Sequence, residues 1–459
     1  PTVSPPTIPS GDDEDDDVPF PPPGLGYQFT TGAEDHAYIA YDVKGMQGSN
    51  TDSAESLYKD GGNAEVKDAA GDDIMLSLEK LSTGSRYRMG ESILYNFYRY
   101  SFKDEPVFIE NSNSELPDSS YANTVVKKAF DVAQDKALAA EASVVMTLYM
   151  EIAHQLELAV KFCGGGGNGE RAIDIAVAFW VGAGQTKGDN DSGYLLYNIA
   201  ETAGERFGQD SGNSGEAAVN TKIMGLFNSA KQLAGSCTTD ASQVPLLQVA
   251  TQNILAQMNI PLLQNLVYYM NVADSDTNDY ENYIELYALS IVPQVAACSP
   301  STFSYLKDEL IDYDWDRSDI GEIASVLEDS LSCFGVTCDD IGTLQAVTGN
   351  VVQPCAAGVS PTLKLAGYSA SSDVTEVAKI DRDILQINIT MQMEAFDAAK
   401  DIYTNGRNSR KGDSFMSLHQ LAMNADKYDL NSASGSKNPL DNPFKLFSDF
   451  YGKGTYAAD

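Results

Sequence analysis

From about residue 120 to residue 404 the apolar positions of this chain recur every three or four residues. In "VVMTLYMEIAHQLELAVKF" (144–162), Val145, Leu148, Tyr149, Ile152, Leu156 and Ala159 form one such stripe. The same pattern predicts helices over roughly 120–142, 215–234, 243–272, 281–298, 301–312, 318–333 and 373–404. Strand-like alternation is nearly absent. The chain reads as all-α: a bundle or array of helical units joined by polar, glycine-rich connections.

Two pairs of segments look alike. "AESLYKDGGNA" (54–64) overlays "AKDIYTNGRNS" (399–409), matching Ala54, Tyr58, Gly61 and Asn63 to Ala399, Tyr403, Gly406 and Asn408. Each is followed by a Ser-Leu pair, in "LSLEKL" and "MSLHQL", and a helix ending in a glycine cap accounts for both. "ERAIDIAVAFWV" (170–181) overlays "ENYIELYALSIV" (281–292), matching Glu170, Ile173, Asp174 and Val181 to Glu281, Ile284, Glu285 and Val292. Internally duplicated helical units are the expected architecture. Residues 1–24, proline with an acid run, read as a disordered linker. Residues 25–430 form the helical domain, divisible into lobes of about 25–240 and 241–430, and 431–459 read as an extended strap or stalk.

Charge narrows the function. Against 30 Lys and Arg stand 66 Asp and Glu, a formal net charge of -36. Such a field repels nucleic acid and gathers cations. No run approaches the roughly 20 apolar residues a spanning helix needs. The first residue is Pro1, so the expectation is a processed ectodomain, with any signal peptide or membrane anchor outside the given chain. Six cysteines, no C-x-x-C pair and three histidines favour three disulfides over a zinc site. Two N-x-S/T sequons, at Asn190 and Asn388, agree with a secreted chain.

Gly164, Gly166 and Gly169 have the G-x-G-x-x-G spacing of a dinucleotide turn, with Asp189 twenty residues on. The run before them has helical rather than strand period, and Glu170 places an anion where a pyrophosphate would sit. The glycines are therefore read as a hinge. The informative residues follow it: Asp174 and Glu285 are acids inside helices apolar nearly all round, and Glu170 and Glu281 lie one turn earlier on the same faces. A buried acid needs a partner. Two such pairs facing each other would form a pocket for a hard cation; satisfaction by Arg171, a tyrosine or a helix cap is the structural alternative. Glu151 and His154 have the Glu-x-x-His spacing of di-iron bundles, but three histidines are too few for that site. In 274–285, Asp274, Asp276, Asn278 and Glu285 fall at calcium-loop positions, with Asp279 where the turn wants glycine. No nucleophile motif of a hydrolase is visible.

The unit at 54–64 and 399–409, "AVAFWVGAGQTKGDNDSGYLLYNIAETAGERFG" (176–208) with "AAVNTKIMGLF" (217–227), and "IELYALSIVPQVAACSP" (284–300) together resemble the algal iron-assimilation proteins. That family includes high-CO2-inducible periplasmic proteins and the phytotransferrins. The resemblance implies a secreted or surface-attached protein, not an enzyme, that captures ferric iron with carbonate as synergistic anion and hands it to a surface uptake partner. Fe(III) suits carboxylate and phenolate oxygens, and the carbonate needs a cation, for which Arg171 stands beside the acids. Glu170, Asp174, Glu281 and Glu285, with Glu151 and His154 behind them, are the expected ligands. A calcium-binding surface or wall protein and a carboxylate-bridged metalloenzyme are the competing readings.

Overall fold

The computed structural model describes residues 25–68, 71–88, 92–104, 121–210, 215–237, 239–273, 280–312, 319–345, 351–355, 374–412 and 414–424. The expected linker 1–24, the strap 431–459 and the calcium-loop residues Asp274, Asp276 and Asn278 lie outside them. The first half runs α1 (Ile39–Gly48), α2 (Thr51–Asp60), α3 (Leu78–Arg88), α4 (Ile93–Ser101), α5 (Tyr121–Lys128), α6 (Lys136–Ala142), α7 (Tyr149–Gly165), α8 (Gly169–Val181), α9 (Leu196–Arg206) and α10 (Ala218–Ser236). The second runs α11 (Val244–Val272), α12 (Glu281–Ile291), α13 (Pro293–Ala296), α14 (Pro300–Leu310), α15 (Ile320–Phe334), α16 (Cys338–Ile341), α17 (Thr375–Ala378), α18 (Ile380–Gln392), α19 (Phe396–Asn405) and α20 (Leu418–Asn424). Two antiparallel hairpins, β1 (Glu65–Lys67) with β2 (Asp73–Met75) and β3 (Arg410–Lys411) with β4 (Ser414–Phe415), are the described sheets. The all-α expectation is met.

The 29-residue α11 is apolar nearly all round, so it can be stable only when covered on every side. It packs against α7, α9, α10, α12 and α15. α8 buries Ala172 to Asp174 and Ala176 to Val181 among α7, α9, α10 and the 3-10 turn Glu34–Tyr38. The fully buried Trp180 of α8 donates from its indole Nε1 to Asn220 Oδ1 at 3.1 Å, satisfying the one polar group of the ring. One apolar cluster runs continuously from Leu25 to Ile402.

The glycine run behaves as the periodicity predicts. α7 ends at Gly165, Gly166 adopts a left-handed cap (φ 80°), and Asn168 Oδ1 accepts from Arg171 N to start α8. Cys163 joins Cys237, pinning the end of α7 to the end of α10; Cys298 joins Cys333 and Cys338 joins Cys355. All six cysteines are paired, as expected.

Three predicted helices are interrupted, 281–298 at Val292 just before Pro293. Residues 120–142 divide where Ala129–Ala133 widens to a π-turn and Gln134 takes φ 52°, with Asp135 capping α6. Residues 373–404 divide at Glu394, at φ 59° between α18 and α19.

The two similar Gly-Asn units share one local motif. Gly61 closes α2 at φ 71°, ψ 179°, and Gly406 closes α19 at φ 72°, ψ 168°, a region that only glycine occupies comfortably. Asn63 Nδ2 donates to Asp42 in α1 at 2.6 Å, and Asn408 Nδ2 donates to Asp383 in α18 at 2.7 Å. Leu76 N donates to Ala64 O and Met416 N to Ser409 O. Ser77 Oγ and Ser417 Oγ then accept from Lys80 N and Gln420 N at the start of the next helix.

Candidate functional site

The two acid pairs are not brought together. Asp174 is fully buried and accepts from Tyr27 Oη (2.6 Å), Thr30 N (3.0 Å), Thr31 N (3.1 Å), Thr31 Oγ1 (2.7 Å) and Lys231 Nζ (2.8 Å). Burial would raise this carboxyl, but the Lys231 ammonium and those hydrogen bonds overcome it and hold the group below the usual carboxylate range. Its lone pairs are already used. Arg171 Nη1 donates to the carbonyls of Thr31 (2.8 Å) and Gly32 (3.2 Å), and the Glu170 carboxylate lies against Gly235 of α10, where an added Cβ would stand 2.2 Å from Oε1. Asp174 and Arg171 together clamp residues 27–32 onto α8. The expected pocket between two acid pairs, with Arg171 beside it, is thus replaced by a structural clasp.

Glu281 and Glu285 do share a face of α12, and line a cavity of about 340 Å3 with Lys128, which ion-pairs with Glu285. Glu151 and His154 are buried in α7 beside Ser82, Ser92, Tyr95 and Thr147, and Gln155 Nε2 donates to Glu151 at 2.7 Å. Among the described residues, the one trio of acid, histidine or cysteine side chains within ligating reach is Glu328, Cys338 and Cys355. Its two sulfurs are consumed by their disulfide, so it offers no thiolate.

A different set of oxygens converges on a cavity of about 230 Å3 between α6, α9, α11 and α12. Helix α9 builds one wall by simple periodicity. Its Tyr197 and Glu201, one turn apart, enter a buried network in which Tyr197 Oη donates to Glu216 (2.7 Å) and Asn220 Nδ2 donates to Glu201 (2.7 Å). Asn198, Thr202 and Arg206, offset by one residue and also four apart, line the cavity instead. α11 contributes Asn265 and Tyr269, α12 contributes Tyr287, and α6 contributes Glu141 just before the helix widens to π-turns over Ser143–Leu148.

Tyr287 Oη donates to Glu141 Oε1. Arg206 Nη1 donates to Asn265 Oδ1 at 2.8 Å, and its guanidinium stacks 3.9 Å from the Tyr268 ring centroid. Arg206 and Glu141 make no direct ion pair, although the guanidinium lowers the carboxyl. The Tyr269 ring stacks on Tyr283 (centroids 4.8 Å apart) and Tyr287 (5.6 Å). Burial raises Glu141 above the usual carboxylate range, against the Tyr287 hydrogen bond and Arg206. Burial, reinforced by the Glu141 charge, holds the Tyr287 and Tyr269 phenols well above their usual range. One carboxylate and two phenol oxygens suit a trivalent cation, and the adjoining guanidinium suits a small anion held with it.

None of Glu141, Arg206, Tyr269 or Tyr287 was among the acid pairs singled out from sequence. Two patterns point to Arg206 and Tyr287, though not to Glu141 or Tyr269: the polar stripe Asn198, Thr202 and Arg206, and the tyrosines at 280, 283 and 287, three and four apart. Both lie within or beside the stretches that carry the resemblance to iron-assimilation proteins.

Fold, disulfides and cavity define a helical, disulfide-bonded protein of an oxidising compartment. Residues 321–451 match the family described as Fea1, low iron-inducible periplasmic protein. The match bears out the resemblance to the algal iron-assimilation family and covers the second Gly-Asn unit; the Glu141 cavity lies N-terminal to it. The periplasmic family and the three disulfides place the protein outside the cytoplasm, and the match is consistent with an iron-related role. No curated protein and no solved structure matches the chain. No helix among the described residues is long and apolar enough to cross a membrane.

Proposed function

We propose that the protein captures ferric iron outside the cytoplasm, without catalytic turnover, at the cavity formed by Glu141, Tyr269 and Tyr287, with carbonate held against Arg206. The observation that carries this reading is the Tyr287-to-Glu141 hydrogen bond inside a cavity that also exposes a guanidinium. A carboxyl and a phenol sharing one proton are two hard ligands poised to exchange that proton for a hard cation. The family's induction by low iron and its periplasmic location support the same cargo.

The chemistry fixes a test. Ferric nitrilotriacetate titrated into the protein in bicarbonate buffer is expected to give a visible phenolate-to-iron band, weakened when bicarbonate is withheld. Y287F and E141Q are expected to lose the band or most of the affinity, and R206Q to lose the bicarbonate dependence while retaining weaker iron binding. Tight calcium binding with no ferric affinity would overturn the reading in favour of a calcium-binding surface protein.

A further inference from the structure

A further cavity stands apart from the Glu141 site. It measures about 420 Å3 and lies between α11, the α15–α16 connection, α17, α18 and the turn after α19. Its wall carries Lys379, Arg382, Arg407 and Arg410, in a chain whose acids outnumber its bases 66 to 30. Two of these cations are answered by carboxylates: Lys379 pairs with Glu376 at 2.5 Å and Arg407 lies 3.7 Å from Glu157. The other two are not. Arg382 donates to Ser332 O and Ser332 Oγ, both at 2.9 Å, and Arg410 donates to Asn253 Oδ1 at 3.2 Å. Both guanidiniums are partly buried and, among the described residues, held by neutral acceptors. Glu376 and, for Arg382, Asp381 act on these guanidiniums only at a distance, without an ion pair, so each keeps the capacity to take an anion in direct contact.

The rest of the lining is amide and hydroxyl. Gln294 Nε2 donates to Tyr149 Oη (2.9 Å) and Asn259 Oδ1 (3.0 Å), and Asn408 Nδ2 donates to Gln386 Oε1 (2.9 Å), so the floor is a tied network of neutral dipoles. The volume falls within the about 300–1,000 Å3 range of small-molecule sites, and exceeds what one carbonate or phosphate would fill. Arg382 and Arg410 are held by different acceptors, on α15 and on α11, so a ligand with an anionic group at each end can engage both.

From this geometry we infer a second binding site: the cavity takes a small oxyanion bearing two or more carboxylate or phosphate groups, bridged between Arg382 and Arg410. Its cationic wall, Ser332 included, lies inside the stretch that matches the low iron-inducible family. The site is separate from the Glu141 cavity and needs no iron to fill.

Calorimetric titration of the full, iron-free chain with citrate and with pyrophosphate separates the two sources of such charge. Saturable binding of either, at one equivalent, is expected. The double variant N253D/S332D gives each guanidinium a carboxylate of its own without removing an arginine, so the fold is retained; it is expected to weaken binding by about tenfold or more. R382Q/R410Q is expected to do the same, with the thermal midpoint measured alongside to show that the chain still folds. Wild-type chain that binds neither anion overturns the inference, as does affinity that survives unchanged in N253D/S332D.

Discussion

Asp174 and Glu141 are both acids set among apolar helices, yet their surroundings assign them opposite tasks. Asp174 receives five donors and the Lys231 charge, whose side chain is 14% exposed, so it ties residues 27–32 to α8 and α10. D174N is expected to cost about 3–5 kcal/mol in urea unfolding, because Lys231 is then left without its counter-charge. The folded fraction should keep its full iron stoichiometry; unchanged stability with lost iron would return Asp174 to the site. Asp42 is the residue-scale counterpart with a deficit. Its Oδ1 accepts from Asn63, but its buried Oδ2 has no partner, and burial pushes the carboxyl up to about 6 against those hydrogen bonds. A raised acid favours the folded state when protonated. Its contribution is fully present below the unfolded value near 4 and is lost as pH rises through about 6, amounting to about 3 kcal/mol. D42N should flatten the fall in stability between pH 4 and pH 7, and an unaltered pH profile would refute the assignment.

At the scale of elements, the helices were legible wherever one face had to be buried over several turns. The pattern over 243–272 became α11 and that over 215–234 became α10, each within a few residues at its ends. The breaks at Gln134 and Glu394 were not legible, because neither residue is glycine and only tertiary packing selects their positive φ. The proposed cavity was not legible in place. Charge and resemblance pointed to a hard cation, but i, i+4 spacing can only pair residues on one helix, whereas Glu141, Arg206, Tyr269 and Tyr287 meet from four. The Gly-Asn units were read correctly as helix ends and yield a graded expectation. An added Cβ at Gly61 would stand 2.1 Å from Leu76 O, and at Gly406 it would stand 2.7 Å from Met416 O. Alanine at either position forces a residue with a Cβ into a glycine-only region, costing about 1–3 kcal/mol before the clash is counted. G61A should therefore destabilise more than G406A in denaturant titrations, and the reverse order would mean that backbone strain rather than contact sets the cost.

Over the whole molecule, pH acts in opposite senses on cargo and on fold. On the proposed reading, ferric binding at Glu141 and Tyr287 displaces protons held by groups that burial makes weaker acids, so affinity falls as pH falls. The fold responds the other way between about pH 4 and pH 7. Asp42, at about 6, and Glu157, which burial pushes up to about 7 despite Arg407, both favour the folded chain once protonated. Together they outweigh His36, which burial pushes down to about 4 and which withdraws support as pH falls below its ordinary value. Acidification also relieves the self-repulsion of a chain carrying a net charge of -36. The carboxyls held low, Asp174 and Asp340, begin to withdraw their support only below the ordinary carboxylate range. Mild acid is thus expected to unload the iron from a protein that becomes more stable as it does so. The check is to follow the visible iron band and the thermal midpoint of the iron-free chain over the same pH series. Between pH 7.5 and 5 (about two to three units, enough to protonate both raised acids), the band should fade while the midpoint holds or rises. At the upper end added salt should raise the midpoint by screening the acidic surface. A midpoint that collapses in step with the band would show that iron leaves by unfolding, and would remove the proton exchange at Tyr287 from the account of release.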